Sequence, residues 1–356
     1  MTPSKFYIPS LDGIRTITFL IVFLSHCAGG EYIFPGLFGV TVFFFLSGYL
    51  ITTLLRREYE QNQFINLKHF YLRRILRILP VFYLVLFLTS ILTLIGVLEG
   101  EMQLPAFLSQ ALHYYNYYAT FVGGEGVAPG SGVYWSLAVE EHFYCLFPFL
   151  YISLLKMRVS PQRQMLIIWG ICLAILIWRC ILVFGRGADE NSIIFLSDTR
   201  IDSILFGCAL AVNGNPVLDT PYGSDRLWKY FVLPAGITVI ILSLISPSIE
   251  LESTLPYTIQ GIALHGIFIA AIRFPDWGVF QILNWKWMRF TGLLSYSLYL
   301  VHHTVLKAVY LYLPQISGVL QGSISMLISL ILAYAIYRYI ELPCGKLRQQ
   351  LSSSSS

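Results

Sequence analysis

Charge is scarce in this chain. Only 12% of its 356 residues are Asp, Glu, Lys or Arg, whereas 56% are hydrophobic. A soluble domain of ordinary composition is about 25% charged. The shortage of charge excludes a disordered protein, a nucleic-acid binder with basic faces and a simple soluble enzyme. Because the apolar excess runs from end to end, a single membrane anchor is also excluded, and a polytopic membrane protein remains.

Several familiar signatures are missing as well. The six cysteines have neither disulfide nor zinc spacing, and most lie in apolar runs. Neither a phosphate-binding P-loop motif nor a Gly-x-Ser-x-Gly nucleophile elbow occurs. The single glycine beside Ser47 predicts close helix packing instead. No cleavable signal peptide is predicted after the polar start at 1–10. We expect neither a metal nor a nucleic-acid partner.

What the sequence does contain is a succession of long apolar runs. A bilayer core about 30 Å thick needs roughly 20 apolar residues per helix. Runs of this length that do not alternate predict helices rather than barrel strands. The ten candidate spans are 12–30, 35–55, 73–97, 134–155, 165–184, 193–213, 229–246, 256–273, 291–312 and 319–340. We predict an all-α polytopic bundle of about ten transmembrane helices within 1–345, followed by a disordered cytoplasmic tail at 346–356.

Lys and Arg are distributed unevenly between alternate loops. One set of loops contains most of them, and the other set contains Arg186 as its only base. The acidic residues of this second set are Glu31, Glu99, Glu101, Glu125, Asp189, Glu190, Glu250 and Glu252. Because basic loops stay in the cytoplasm, both termini are predicted to face that side.

An ionisable side chain at membrane depth costs free energy, so such residues commonly mark a functional site. Asp12, Arg15 and His26 belong to the first span. The eleven-residue spacing of Arg15 and His26 is close to three helical turns, so both lie on one face, about 16 Å apart. One interpretation is an Arg that reaches the headgroups and a His satisfied by a carbonyl. The other is a polar stripe lining a cavity, with His26 as general base.

Two further clusters lie at the starts of spans. Arg73, Arg74 and Arg77 occupy about one helical turn. Guanidinium groups so close together can bind phosphate. The alternative is that they only fix the orientation of the span, because basic residues are enriched on the cytoplasmic side. Glu140 and Glu141 are adjacent, so they cannot share a helix face, and we expect one of them to point into the bundle. Polar contacts between helices are the simpler alternative.

Charged and histidine pairs also occur in later spans. Arg200 and Asp202 are consistent with a mutual or inter-helix ion pair. His302 and His303 are adjacent and point to different faces, and a third ligand at metal spacing is missing, so zinc is rejected.

With these residues in hand, the chain resembles the membrane-bound acyltransferase 3 family. Six segments resemble its signatures in the family's order: Leu11 to Arg15 with His26, Phe43 to Thr52, Phe70 to Pro80, Trp135 to Tyr144, Thr199 to Asp202, and Ser295 to His302. His142 stands where Gln is usual, and Leu342 stands in a Glu-Leu-Pro sequence where the family often has Glu-Arg-Pro. The extracytoplasmic hydrolase-like domain of some relatives is not expected.

The resemblance implies an O-acyltransferase in a bacterial inner (plasma) membrane. Cytoplasmic acetyl-CoA would be the donor, and a hydroxyl of a cell-surface or lipid-linked glycan the acceptor. His26 would act as general base or acyl carrier, oriented by Glu140 or Glu141. The residues implied to hold the donor are Arg15, Arg73, Arg74 and Arg77. Those with substrate-binding or structural roles are Asp12, Trp135, Ser136, Arg200, Asp202 and His302.

Two questions stay open at this point. The oxyanion donor can be Arg200, Ser136 or a backbone N–H. The alternative function is a proton-coupled transporter or flippase of a glycan or lipid precursor, since such carriers also contain intramembrane ionisable groups. The expected partners are the lipid bilayer and the glycan acceptor, and the oligomeric state is left open.

Overall fold

The computed structural model describes residues 7–245, 251 and 253–353, and all regular secondary structure in this part of the chain is helical. Glu250 and Glu252 of the predicted acidic loops lie outside the described residues. The helices up to the middle of the chain are α1 Pro9–His26, α2 Gly36–Asn62, α3 Leu67–Leu94, α4 Leu104–Ala111, α5 Tyr115–Phe121, α6 Trp135–Lys156, α7 Pro161–Cys180, α8 Glu190–Ile194 and α9 Ser197–Arg200. The later helices are α10 Asp202–Val212, α11 Asp225–Leu227, α12 Leu233–Ser243, α13 Leu255–Arg273, α14 Phe280–Leu283, α15 Lys286–Tyr312, α16 Gly318–Ile336 and α17 Leu342–Ser353.

The described chain contains six helical stretches long and apolar enough to cross a membrane. They are Gly36–Asn62, Leu67–Leu94, Pro161–Gly185, Asp225–Ser243, Leu255–Arg273 and Gly318–Gln350. Helices α1, α6 and α15 are also 18 residues or longer, and they carry most of the ionisable residues singled out above. The protein is therefore a multi-pass membrane protein. The count of ten spans and the side of the termini stay predictions.

The C-terminal segment differs from the expected disordered tail. A π-helical turn at Tyr337–Glu341 joins α16 to α17, and α17 continues as helix to Ser353. Helix α17 packs against α3. Short helices are marginal alone and gain their stability from such packing, a contact that composition does not reveal. The last predicted tail residues, 354–356, lie outside the described residues.

Glycines allow α2 and α10 to pack closely. A Cβ atom on Gly207 would lie 1.9 Å from the carbonyl oxygen of Phe45, and one on Gly48 would lie 1.9 Å from that of Ile204. Small residues permit this backbone approach in membrane helix pairs. The predicted helix packing around Gly48 is confirmed.

We expect Gly207→Ala to lower the free energy of unfolding by about 1–3 kcal/mol, because the new methyl group overlaps backbone atoms that cannot move independently. Thermal unfolding in detergent measures the change. The matched control is Gly170→Ala in α7, where a Cβ meets no atom within 4 Å. Equal melting temperatures for the two variants would contradict the proposed close contact.

Candidate functional site

A cavity of about 500 Å³ lies among α1, α2, α3, α6 and α15, where many charged side chains meet. Its charged lining consists of five guanidinium groups and three carboxylates: Arg15, Arg73, Arg74, Arg77, Arg348, Asp12, Glu58 and Glu140. We call this space the arginine cavity. The three arginines of the predicted cluster and the Asp12–Arg15 end of the α1 stripe are thus brought together.

Two of these arginines are neutralised within the protein. Arg15 donates to Asp12 at 2.6 Å, and Arg73 donates to Glu58 at 2.7 Å. Arg77 makes no ion pair within the described residues. Arg74 is buried, and its Nε has no hydrogen-bond partner among them. The uncompensated positive charge of the cavity therefore comes chiefly from Arg74 and Arg77, which suits a multiply charged anion.

Arg348 is a lining residue that sequence reasoning missed. It lies within 346–356, the segment that the sequence predicts to be a disordered tail. Helix α17 instead brings this side chain to the arginine cavity. A Lys and an Arg soon after the last apolar run were the available signal, and a topology signal has the same appearance.

The two adjacent carboxylates have different surroundings. Glu140 lines the arginine cavity, where it accepts a 3.5 Å hydrogen bond from Tyr144, whose hydroxyl lies 2.9 Å from Ser47 Oγ. Glu141 lines neither of the cavities described here. The expectation that only one of the pair points into the bundle therefore fits Glu140.

A second cavity of about 260 Å³ lies beyond the first along α1. Its lining includes His26, Ser25, Glu31, Phe34 and Trp135, and we call it the histidine cavity. Both cavities are bounded by Val40 and Tyr299. On α6, Trp135 lines the histidine cavity and the next residue, Ser136, lines the arginine cavity. The two spaces therefore share a common wall.

The common wall is polar at one point. The hydroxyl of Tyr299 lies 2.7 Å from Ser136 Oγ and donates to the carbonyl of Val133 at 3.2 Å. All three groups are buried. Two hydroxyl groups thus lie where a molecule extending from one cavity to the other would pass.

His26 contacts other histidines rather than a carboxylate. Its Nδ1 lies 2.9 Å from Nε2 of His302, and its ring stacks on His303 with a centroid distance of 4.4 Å. The expectation that Glu140 or Glu141 orients His26 is therefore wrong in this structure. The physical reason is position: His26 ends α1 and faces α15, whereas Glu140 bonds Tyr144 at the arginine cavity.

Arg200 and Asp202 are buried away from both cavities. Asp202 pairs with Arg179 across helices at 2.8 Å, and both side chains are fully buried. Arg200 lies 3.6 Å over the ring of Tyr257 and donates to Thr41 at 3.1 Å. An inter-helix ion pair is confirmed for Asp202, with Arg179 rather than Arg200 as its partner.

Comparison with known proteins gives a consistent result. A family model described as an acyltransferase domain, that of acyltransferase 3, matches residues 8–338. The peptidoglycan O-acetyltransferase OatA of Listeria monocytogenes is 29% identical over 96% of this chain and 56% of its own. A putative O-acetyltransferase of Staphylococcus aureus strain COL and the S. aureus O-acetyltransferase OatA are each 30% identical over 96% of this chain, which covers 58% and 57% of them.

The chain thus spans a little more than half the length of the curated relatives that it matches. No solved structure matches it. The family match covers nearly all of the described helices and includes every residue of the two cavities except Tyr7 and Arg348. The chain therefore belongs to the acyltransferase 3 family of membrane proteins.

Proposed function

We propose that this protein transfers an acetyl group from cytoplasmic acetyl-CoA to a sugar hydroxyl of a cell-surface or lipid-linked glycan, in a bacterial plasma membrane. One arrangement supports the proposal: two cavities share a common wall, one lined by Arg74 and Arg77, which form no ion pair in the described residues, and the other by the imidazole of His26. Relatives named as O-acetyltransferases support the reaction class, and one is named for peptidoglycan. Peptidoglycan is accordingly the first acceptor to test.

The arginine cavity suits the donor. Coenzyme A has three phosphates at one end and a thioester at the end of a flexible arm. Arg74 and Arg77 offer guanidinium groups without an ion-pair partner in the described residues, and Arg348 also lines the cavity. Guanidinium groups bind phosphate in forked geometry and keep their charge. Asp12 would hold Arg15 in place beside the arm, so that the thioester reaches the wall at Tyr299.

The histidine cavity suits a sugar. Trp135 and Phe34 supply aromatic surfaces, and Ser25 and Glu31 supply polar groups, a combination typical of small-molecule sites. His26 lies in the same cavity. A sugar hydroxyl bound there would lie within reach of an imidazole, which is the common general base near neutral pH.

In the proposed reaction, His26 removes the proton of the sugar hydroxyl while the oxygen attacks the thioester carbonyl carbon. The carbon–sulfur bond then breaks, and the departing thiolate takes the proton from the imidazolium. The products are the acetyl ester and free coenzyme A. Transfer through an acetylated His26 is the two-step variant of the same chemistry. Arg200 lines neither cavity, so Ser136 or a backbone N–H is the preferred oxyanion donor, with the Ser136 hydroxyl turning its hydrogen from the common wall to the substrate.

The test uses purified protein in liposomes that contain acetyl-CoA, with soluble peptidoglycan fragments outside. We expect acetyl esters on the external sugar, detected by mass spectrometry, together with release of free coenzyme A inside. Liposomes without acetyl-CoA and liposomes without protein are the controls. Movement of the glycan across the bilayer without ester formation would contradict the acyltransferase proposal and favour a carrier.

A further inference from the structure

The hydrogen bonds around His26 determine which of its nitrogens carries the proton. Nδ1 of His302 lies 2.8 Å from the carbonyl oxygen of Tyr299. A carbonyl oxygen only accepts hydrogen bonds, so Nδ1 of His302 must bear a hydrogen. A neutral imidazole has one N–H, which leaves Nε2 of His302 as an acceptor. The 2.9 Å contact with that atom therefore requires Nδ1 of His26 to donate.

This assignment leaves the lone pair of His26 on Nε2. Within the described residues, Nε2 of His26 makes no hydrogen bond and is not among the buried unpaired atoms. Since His26 lines the histidine cavity, the free nitrogen is available to a molecule bound there. The resulting chain of contacts runs from the Tyr299 carbonyl through His302 to His26.

We propose that His302 is a positioning residue, which fixes the tautomer and the ring orientation of His26 so that Nε2 accepts the proton of the sugar hydroxyl. This inference rests on the proposed role of His26 as base. After proton transfer, the His26 imidazolium keeps its Nδ1–H bond to His302, and the positive charge is partly shared along that bond. In serine hydrolases a carboxylate performs the corresponding task.

The surroundings of His302 protect this bond from water. The ring is fully buried, and Phe19 contacts it edge-on with a centroid distance of 5.6 Å, while Phe23 lies 6.2 Å away. A neutral imidazole held by a backbone carbonyl is cheaper to bury in such an apolar setting than an unpaired carboxylate. That difference gives a physical reason for an imidazole rather than a carboxylate behind His26.

The helix α15 backbone next to His302 is held by the segment before α6, at Pro129 and Gly130. Thr304 donates to the carbonyl of Pro129 at 2.9 Å. Gly130 has φ +79°, and a Cβ atom there would lie 2.3 Å from the Thr304 nitrogen. The ionisable neighbours of His26 are His303, stacked on its ring, Lys307 one turn later on α15, and Glu31 across the histidine cavity. None of them supplies the acceptor for Nδ1–H.

The tautomer is tested directly, without reference to activity. Solid-state NMR of protein labelled with ¹⁵N-histidine, in lipid at neutral pH, reports which ring nitrogen of His26 is protonated. A spectrum of His26→Gln identifies the His26 signals by subtraction. We expect protonated Nδ1 in the wild type and the commoner Nε2–H form in His302→Leu. An Nε2–H form of His26 in the wild type would overturn the proposal.

Kinetics test the consequence for the reaction. We expect His302→Leu to lower kcat on the order of 10²-fold, with the KM for acetyl-CoA unchanged, because the donor binds in the other cavity. His302→Gln keeps an oxygen that can accept Nδ1–H, and should recover most of the loss. The rising limb of kcat against pH should move to lower pH in the leucine variant, which lacks the acceptor, and stay in place in the glutamine variant.

The positioning role of His302 and the proposed acyltransferase function can fail independently. Equal kcat values and pH profiles in folded His302→Leu and wild type would overturn the role of His302. If the leucine variant does not fold, a glutamine variant with His26 in the Nε2–H form and unchanged kcat would overturn it as well. Protonated Nδ1 in a wild-type protein without His26-dependent acetyl transfer would instead contradict the proposed function.

Discussion

We expect His26→Ala to lower the rate of acetyl transfer by at least about 10³-fold, because the variant loses the base that activates the sugar hydroxyl. Ester formation on the external glycan, measured in liposomes loaded with acetyl-CoA, gives the rate. The affinity for acetyl-CoA should stay at the wild-type value, since His26 lines the histidine cavity and not the arginine cavity. Catalysis and donor binding are therefore expected to separate in this variant.

His265→Gln provides the matched control. His265 also contacts a backbone carbonyl, that of Gly261 at 2.9 Å, but it lines neither cavity. We expect its activity to remain close to that of the wild type once the amount of folded protein is equalised by size-exclusion chromatography. Retained acetyl transfer in His26→Ala would exclude His26 both as base and as acyl carrier.

The second large effect concerns the donor. We expect Arg77→Ala to weaken acetyl-CoA binding roughly 10- to 100-fold, because a charge-assisted hydrogen bond contributes about 1.5–3 kcal/mol. Arg74→Lys should also weaken the binding of coenzyme A. The lysine ammonium keeps the positive charge, but it cannot form the two parallel hydrogen bonds that a guanidinium donates to a phosphate. Isothermal titration of the detergent-solubilised protein with coenzyme A measures both. Binding should weaken further as salt is added.

Arg163→Ala is the control that separates the two interpretations of the arginine cluster. Arg163 is an exposed base at the start of α7 and belongs to the set that predicts topology, but it does not line the arginine cavity. We expect this variant to bind coenzyme A as the wild type does. Identical titrations for Arg77→Ala and Arg163→Ala would contradict the proposed binding of coenzyme A by the arginine cluster. The cluster would then serve only to orient the span in the membrane.

The spacing of residues along single helices predicted several features of the site. Asp12 and Arg15 are one turn apart in the sequence, and they form an ion pair in the structure. Arg74 and Arg77 line one cavity as their spacing predicted. These predictions succeed because a helix fixes the direction of each side chain relative to its neighbours three and four residues away.

Predictions of contacts between side chains on different helices were less successful. The partner of His26 is 276 residues away on α15, and that of Asp202 is Arg179 on α7 rather than the nearby Arg200. Arg348 lies in the predicted disordered tail, whereas in the structure it lines the arginine cavity. The choice of which adjacent carboxylate faces that cavity, Glu140 or Glu141, also required the packed bundle.

The sequence by itself determined the class of protein, the long apolar helices and the short set of ionisable residues worth testing. Its low charge and its long uninterrupted apolar runs are sufficient for this. Every segment that crosses a bilayer needs about 20 apolar residues, and it must satisfy its backbone hydrogen bonds internally. Only the tertiary structure decided that these residues line two cavities with a common wall, and that an imidazole contacts His26. Contacts between helices distant in sequence depend on how their surfaces pack, and the periodicity of one helix does not contain that information.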